Sequence, residues 1–69
     1  MKTSFYEADP FSGNRGDHYL TIDTDYRFEK NDEVWLDLAN DRVKIRITWV
    51  YVTVAEDGQM ERDLLGMKL

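Results

Sequence analysis

Apolar and polar residues alternate in VKIRIT, residues 43–48, which opens the most apolar stretch of the chain. A period of two is the pattern of a β-strand with one buried face. The apolar phase then changes, because the later apolar positions are Val50, Val52 and Val54. A straight strand over the whole of residues 43–54 would span about 40 Å, which is long for so small a chain. We therefore expect a bend or bulge near Trp49–Val50.

A second strand precedes this one. EVWLDL, residues 33–38, is followed by turn residues, so we predict a hairpin over residues 33–48. The predicted register pairs Leu38 with Val43, Leu36 with Ile45, Val34 with Ile47, Asp37 with Lys44, and Trp35 with Arg46. It places apolar side chains on one face, and an opposite-charge pair and a cation–π contact on the other.

The chain after Val54 predicts a second hairpin, over residues 50–64. Its turn is Glu56-Asp57-Gly58. A three-residue loop with Gly58 in the left-handed conformation sets Val54 opposite Met60, whereas a two-residue turn sets Val54 opposite Glu61. The first register favours a strand at 59–64. The alternative is a short C-terminal helix, because apolar residues from Met60 onwards also recur at helical spacing.

The remaining segments complete a β-rich chain. Residues 17–23 predict a strand with His18, Leu20 and Ile22 on one face, and residues 3–8 predict a weaker strand. Gly, Pro, Ser and Asn mark residues 9–16 as a loop, and residues 24–32 have no clear assignment. We expect one compact domain over residues 1–69, either a small antiparallel sheet or an SH3-like barrel of five to six strands. The resemblance to SH3-like barrels in FEKNDEVWLDL…DRVKIRITWV concerns the fold and implies no function.

Composition narrows the classes of partner. The chain has 69 residues and no cysteine, so neither a disulfide nor a thiolate-bound metal can reinforce its core. No signal sequence or long apolar run is present, which favours a cytoplasmic protein. A pI near 4.6 argues against direct binding to nucleic acid or an anionic membrane. We expect a monomer or a homodimer.

No motif predicts catalysis, a metal or a cofactor. His18 is the single histidine, and its neighbour Asp17 would point to the opposite face of a strand. A calcium loop starting at Asp23 fails at three of its positions. Arg15-Gly16-Asp17 spells an adhesion tripeptide, but we interpret it as a loop that ends where a strand begins. We therefore expect no enzyme.

The acidic charge is concentrated in residues 23–42, which hold seven carboxylates against three basic residues, a net charge of −4 out of −5 for the chain. The carboxylates are Asp23, Asp25, Glu29, Asp32, Glu33, Asp37 and Asp41. Carboxylates two residues apart in a strand lie about 6.6–7 Å apart, roughly the spacing of phosphates along a nucleic-acid strand. The segment is interpreted either as a solvated face or as a surface for a basic protein, with Tyr26 or Trp35 as an aromatic anchor.

This profile resembles small phage-encoded inhibitors of bacterial defence, in particular acidic, DNA-mimicking anti-CRISPR proteins. The resemblance rests on one compact acidic domain without cysteine and on the run DTDYRFEKNDEVWLDLANDR. It implies an inhibitor that occupies the basic DNA-binding groove of a CRISPR effector, which reads DNA backbone and a short PAM through Arg and Lys. The alternative is a structural or adaptor β-barrel subunit of a phage particle or another assembly.

Overall fold

A computed structural model describes all of residues 1–69. The chain forms five strands: β1 Lys2–Ala8, β2 Arg15–Asp23, β3 Glu33–Asp37, β4 Arg42–Val54 and β5 Met60–Lys68. They build one sheet in the order β2-β1-β5-β4-β3. The predicted β domain of five to six short strands is thus confirmed, while the alternative of a C-terminal helix is wrong, because these residues form β5.

The sheet is mixed rather than wholly antiparallel. β1 and β5 run parallel, whereas the other three neighbouring pairs are antiparallel. This parallel contact is the one departure from the expected all-antiparallel arrangement. It joins the two ends of the chain at the centre of the sheet, so β2 and β3 form the two edges.

The predicted bulge in the long strand is confirmed and lies at Thr48. Ile47 pairs with Gly66, while Trp49 pairs with Leu65, so Thr48 is the extra residue. The bulge returns Val50 to the covered face of the sheet, where it packs against the core. Gly66 is required opposite the bulge, because a Cβ at this position would overlap the side chain of Ile45.

The two hairpins of β4 differ in how well their registers were predicted. For β4–β5, the prediction is confirmed, since Val54 pairs with Met60 and Gly58 has φ +91°. For β3–β4, the hairpin exists but its register was wrong by two residues: Leu36, rather than Leu38, pairs with Val43. A shift of two residues keeps every side chain on its predicted face, so the apolar pattern did not distinguish the two registers.

The core lies between one face of the sheet and residues 24–32, which we call the strap. The buried apolar side chains of this core are Phe5, Leu36, Val43, Ile45, Ile47 and Leu64. Leu65 is also buried, but on the outer face, where it pairs with Trp49. At one end of the strap Thr24 N donates to Met1 O (3.0 Å), and at the other Asn31 N donates to Ile47 O (2.7 Å). Between them the Phe28 ring packs edge-on against Phe5, with centroids 5.3 Å apart. The strap therefore crosses the sheet from one edge to the other, and we call the covered side the inner face and the opposite side the outer face.

A second bulge changes the predicted face of β2. Phe5 pairs with Leu20, but the next residue, Tyr6, pairs with His18, which leaves Tyr19 as an extra residue. His18 consequently lies on the outer face, where its ring contacts Tyr6 and its Nε2 lies 2.8 Å from Thr21 Oγ1. The predicted common face of His18 with Leu20 and Ile22 was therefore wrong. The predicted loop at 9–16 is shorter than expected, because Arg15 and Gly16 already belong to β2.

Candidate functional site

The seven carboxylates of the acidic segment do not form one row. Asp23 ends β2 at one edge of the sheet, while Glu33 and Asp37 lie on β3 at the other edge. Four inter-strand spacings separate these edges, about 19 Å along the sheet. The strap carries Asp25, Glu29 and Asp32 between them. The segment is therefore acidic in composition but divided in space.

Asp23 and Asp25 hold the start of the chain. The Met1 ammonium donates to Asp23 Oδ1 (2.8 Å) and to Asp25 Oδ1 (3.0 Å). These hydrogen bonds raise the pKa of the Met1 amine and lower the pKa of Asp25. Asp25 lies beyond the end of β2, so the phosphate-like spacing expected along a strand does not apply to this pair. Both carboxylates remain largely exposed while they pair with the ammonium.

Asp32 and Asp41 cap turns. Asp32 Oδ2 accepts a hydrogen bond from Glu29 N (2.9 Å) in the turn where Asn31 has φ +79°. Asp41 Oδ1 accepts from Arg42 N (2.7 Å) at the start of β4. An aspartate that satisfies a nearby backbone N–H is the usual means of fixing such turns. Asp41 is exposed, and Asp32 is half-buried.

Glu33 is the one carboxylate of the segment that pairs with lysine. Its oxygens lie 2.9 Å from Lys44 Nζ and 3.5 Å from Arg46 Nη2. The hydrogen bond from Lys44 is the main cause that lowers the pKa of Glu33. The predicted Asp37–Lys44 pairing was wrong, because the two-residue register shift sets Trp35 opposite Lys44 and Asp37 opposite Arg42.

Trp35 lies among cations on the outer face. The Arg42 guanidinium is 4.8 Å and the Lys44 ammonium 5.7 Å from the centre of the Trp35 ring. The cation–π contact expected for Trp35 thus exists, but its partners are Arg42 and Lys44 rather than Arg46. These two contacts restrict the orientation of the Trp35 ring.

Four of the predicted residues meet in one open depression of about 510 Å³ between the strap and β3. We call it the strap groove, and its lining comprises Tyr26, Phe28, Asp32, Glu33, Val34 and Trp35. Tyr26 is 64% exposed and Trp35 56% exposed. The groove thus lies at the edge of the sheet, between the strap and β3. Glu33 and Trp35 border it from β3, although their side chains contact Lys44 and Arg42 on the outer face. Glu29, Asp37 and Asp41 lie outside its lining, as do Asp23 and Asp25.

The groove also borders a free strand edge. β3 pairs only with β4, and Ile47 N donates to Asp32 O (2.8 Å) while Leu38 and Asp41 exchange backbone hydrogen bonds. Hydrogen-bonded positions alternate along an antiparallel pair. The backbone N–H and C=O groups of Glu33, Trp35 and Asp37 therefore point away from β4 and form the free edge of the sheet.

Arg62 shapes the strap groove in a way that the sequence did not reveal. It is 8% exposed, and Nε donates to Thr3 Oγ1 (3.0 Å) while Nη2 donates to Tyr26 O (2.6 Å) and Thr24 O (3.2 Å). Its guanidinium also lies 5.4 Å from the centre of the Phe28 ring. Arg62 fastens the strap to the sheet and so fixes one wall of the strap groove. The only sign of this role in the sequence is that the predicted register sets a cation opposite Val52, at a position where the strand pattern calls for an apolar, inward-facing residue.

A second depression lies on the outer face, beside the loop that joins β1 and β2. It has a volume of about 490 Å³, and we call it the loop cavity. Its lining includes Pro10, Ser12, Thr48, Trp49, Tyr51 and Met67. Phe11, between Pro10 and Ser12 in the chain, is 98% exposed. Four of the ten residues that line the cavity are hydrophobic, and the others include Asp9 and Asn14.

The structure has no group of three or more His, Cys, Asp or Glu side chains arranged to hold a metal ion. It also has no helix of the length and apolarity that a membrane span requires. Comparison with known protein families, with curated proteins and with solved structures finds no match to this chain.

Proposed function

We propose that this protein is a non-catalytic interaction module that binds a basic surface of another protein through the strap groove and the adjoining free edge of β3, which includes Asp37 and ends just before Asp41. The observation that carries the proposal is the meeting of Tyr26, Trp35, Asp32 and Glu33 around one open depression. An arginine or lysine side chain of a partner can stack on an exposed ring while its charge lies close to a carboxylate. Recognition of this kind uses the residue types that dominate interface hot spots.

The distribution of ion pairs indicates which carboxylates are available to a partner. Asp23, Asp25, Glu29 and Glu33 each have a cation of the same chain within ion-pair distance. Asp32, Asp37 and Asp41 have none; Asp37 and Asp41 are exposed, and Asp32 is half-buried. Asp32 precedes β3, Asp37 lies on its free edge, and Asp41 follows it in the loop. The attraction towards a basic partner therefore comes mainly from these three carboxylates.

The specific form of the proposal is inhibition of a bacterial CRISPR effector in the cytoplasm. The basic DNA-binding groove of such an effector presents Arg and Lys side chains to phosphates, and exposed carboxylates compete for the same groups. The overall charge of −5 supports electrostatic steering towards such a groove. The cations around Trp35 reduce the local negative potential, so contacts of shape and aromatic stacking carry a larger share of the binding.

A pull-down from bacterial lysate, repeated with excess duplex DNA and with raised salt, tests the proposal. We expect the tagged protein to capture a nucleic-acid-binding protein that both DNA and salt displace. The site variant is Asp32→Asn, Asp37→Asn and Asp41→Asn together, which preserves the capping oxygens. It should reduce capture at least tenfold.

The control variant changes the net charge equally but away from the groove. It combines Asp17→Asn, Glu56→Gln and Asp57→Asn, three residues that also lack ion-pair partners. Capture should fall less than threefold. If both variants lose binding equally, the attraction is one of overall charge and the strap groove is not the site. Capture that DNA leaves unchanged contradicts the DNA-mimic form.

A structural or adaptor subunit is the second candidate function. It is favoured by a separate observation, the exposed apolar side chains of Trp49, Tyr51 and Met67, which line the loop cavity on the outer face. Contiguous apolar surface of this kind is typical of interfaces in assemblies. Capture of a structural protein that is insensitive to DNA would favour this function over the inhibitor.

A further inference from the structure

The two free edges of the sheet differ in how regular their backbones are. β2 has register shifts on both sides of Tyr6 in its pairing with β1. Such bulges twist a strand and interrupt the row of backbone groups that it could offer to another strand. β3 pairs with β4 over its whole length, Glu33–Asp37, without a shift. β3 is therefore the edge whose backbone can accept a further strand.

The backbone of β3 offers hydrogen-bonding groups at alternate residues. The bonds to β4 alternate along the strand, and the flanking bonds at Asp32 and Leu38 set which residues make them. The N–H and C=O groups of Glu33, Trp35 and Asp37 consequently face away from β4, on the side where the sheet has no further strand. An extended segment laid along this edge would pair with these groups and continue the sheet.

The strap groove predicts which side chains the middle of that segment carries. Side chains of a strand alternate between the two faces of a sheet. On the inner face, every second side chain of an added strand would enter the strap groove, between Val34 of β3 and the rings of Tyr26 and Phe28 on the strap. Apolar side chains gain free energy by burial in such surroundings. We therefore expect apolar residues at alternate positions of the segment.

The two ends of the edge predict the charge of the segment. Asp32 precedes β3 and Asp37 is its last residue, and neither has a cation of this chain within ion-pair distance. They lie five residues apart in sequence, about 17 Å along an extended chain. Asp41 adds another unpaired, exposed carboxylate in the loop that follows Asp37. A segment of about six residues with Lys or Arg at each end matches the edge in length and in charge.

We propose that an extended segment of the partner, basic at both ends and apolar at alternate positions between them, adds to the free edge of β3 as a sixth strand. This inference rests on the proposed function and names the chemistry of its partner. A second copy of the chain does not fit the edge, because antiparallel pairing of two β3 strands would set Asp37 of one copy opposite Glu33 of the other, a like-charge pair. Two chains that each carry a charge of −5 also repel each other.

NMR titration of the full chain with an end-capped peptide of sequence Lys-Val-Thr-Val-Thr-Lys tests the proposal. A ligand of this size binds weakly, so we expect saturable shifts of the β3 amides with a Kd of about 1 mM or below. Raised salt should weaken the binding. The matched control peptide has Glu in place of both Lys residues and should give no saturable shifts. Absence of saturable shifts with the Lys peptide would overturn the proposal.

Two methylated forms of the Lys peptide separate strand addition from simple attraction of charge. They carry one methyl group each, on one or the other of the two central backbone nitrogens. Neighbouring N–H groups of a strand point to opposite sides, so only one of the two methyl groups would face β3. That peptide should bind at least tenfold more weakly, and the other less than threefold. Equal binding by the two methylated peptides would overturn strand addition.

Amide hydrogen exchange and a pair of variants test the edge from the side of the protein. The peptide should slow exchange at the Trp35 and Asp37 amides at least threefold, and affect the Leu36 amide less, because it already faces β4. Asp37→Pro removes one free donor at an edge position where proline is tolerated, and Asp37→Asn removes the same charge but keeps the donor. Asp37→Pro should weaken peptide binding at least threefold more than Asp37→Asn. Equal affinities of the two variants would overturn the proposal.

The same two variants, used in the lysate pull-down, distinguish this inference from the proposed function. A captured protein that DNA and salt displace, but that Asp37→Pro and Asp37→Asn retain equally, would reject strand addition and keep the proposed function. A peptide that binds with the expected methyl dependence, together with a pull-down that captures no such protein, would support strand addition and reject the proposed function.

Discussion

The two hairpins that share β4 differ in how strongly the sequence of the loop determines the register of the strands. In β4–β5, Gly58 has φ +91°, and Ala55 N donates to Gln59 O (2.7 Å) across a three-residue loop. In β3–β4, Leu38 and Asp41 close a two-residue loop, and neither loop residue has a positive φ. The first loop needs a glycine at one position and so fixes the pairing. The second loop has no such residue, and its register depends on contacts made elsewhere in the fold.

The two hairpins also differ in their surroundings. β5 lies between β4 and β1 and carries Arg62, which binds the strap. β3 is an edge strand of five residues. We therefore expect substitutions in the β4–β5 hairpin to affect the stability of the whole domain, and those in the β3–β4 hairpin to act locally.

The largest effect is expected at Arg62. Arg62→Met preserves an apolar stem but leaves the Tyr26 and Thr24 carbonyls without their donor, which costs about 3 kcal/mol of unfolding free energy. Urea denaturation measures the loss. Lys2→Met is the control, because Lys2 is an exposed cation whose Nζ lies 3.7 Å from Glu61 Oε2. It should change stability by less than about 0.5 kcal/mol. A comparable loss in both variants would contradict the role of Arg62 as the anchor of the strap.

A smaller effect is expected at Gly58. No atom lies within 4 Å of the position that a Cβ would occupy, so Gly58→Ala is penalised only by its backbone conformation, at about 1 kcal/mol. Gly13→Ala, at φ +74° and also in open space, is the matched control for this penalty. Only Gly58→Ala should speed amide exchange at Ala55, whose N–H donates to Gln59 O (2.7 Å) across the loop. Equal exchange in both variants would show that the loop does not control the β4–β5 pairing.

The register of β4–β5 was predictable because a local constraint and the apolar pattern agreed. The left-handed position at Gly58 and the pairing of Val50 with Leu64 select the same alignment. In β3–β4 the apolar pattern allows two alignments, and the charges do not decide between them. Lys44 meets Asp37 in one register and Glu33 in the other, so both appear equally well paired.

The candidate site was less predictable than the fold, for a related reason. The sequence shows that carboxylates are concentrated in residues 23–42, but it does not show what each one contacts. Asp23 and Asp25 bind the Met1 ammonium, and Asp32 caps a turn. The strap itself depends on Arg62, more than thirty residues away. Such contacts follow from the order of strands in the sheet, which a period of two does not reveal.

The β3–β4 register can be tested by replacing the two loop residues, Ala39 and Asn40, with a pair that favours a two-residue hairpin loop. Ala39→Asn with Asn40→Gly supplies the pair that two-residue hairpin loops favour. We expect a gain of about 0.5 kcal/mol, with cross-strand NOEs still joining Trp35 to Lys44. NOEs that join Trp35 to Arg46, in this variant or in the unmodified chain, would mean that the alignment first expected from the sequence is the correct one.

The smallest expected effect is the contribution of Glu33 to the pH dependence of folding stability. The hydrogen bond from Lys44, followed by the attraction of its charge, lowers the pKa of Glu33 below its usual value of 4.5. A carboxyl group whose pKa is lower in the folded state stabilises the fold above its unfolded pKa. That contribution is lost as the pH falls through the folded pKa. Part of the acid-induced loss of stability below about pH 4.5 should therefore come from Glu33.

Glu33→Gln should reduce the slope of stability against pH in this window and leave the slope near pH 7 unchanged. An NMR titration of the Glu33 side chain measures the pKa directly, and Lys44→Met should raise it towards 4.5. Asp37→Asn is the control for Glu33→Gln, because Asp37 lies on the same strand without an ion-pair partner. It should change the slope of stability against pH less than Glu33→Gln does. A Glu33 pKa that Lys44→Met leaves unchanged would show that the pairing across β3 and β4 differs from the one described, and with it the position of Trp35 in the strap groove.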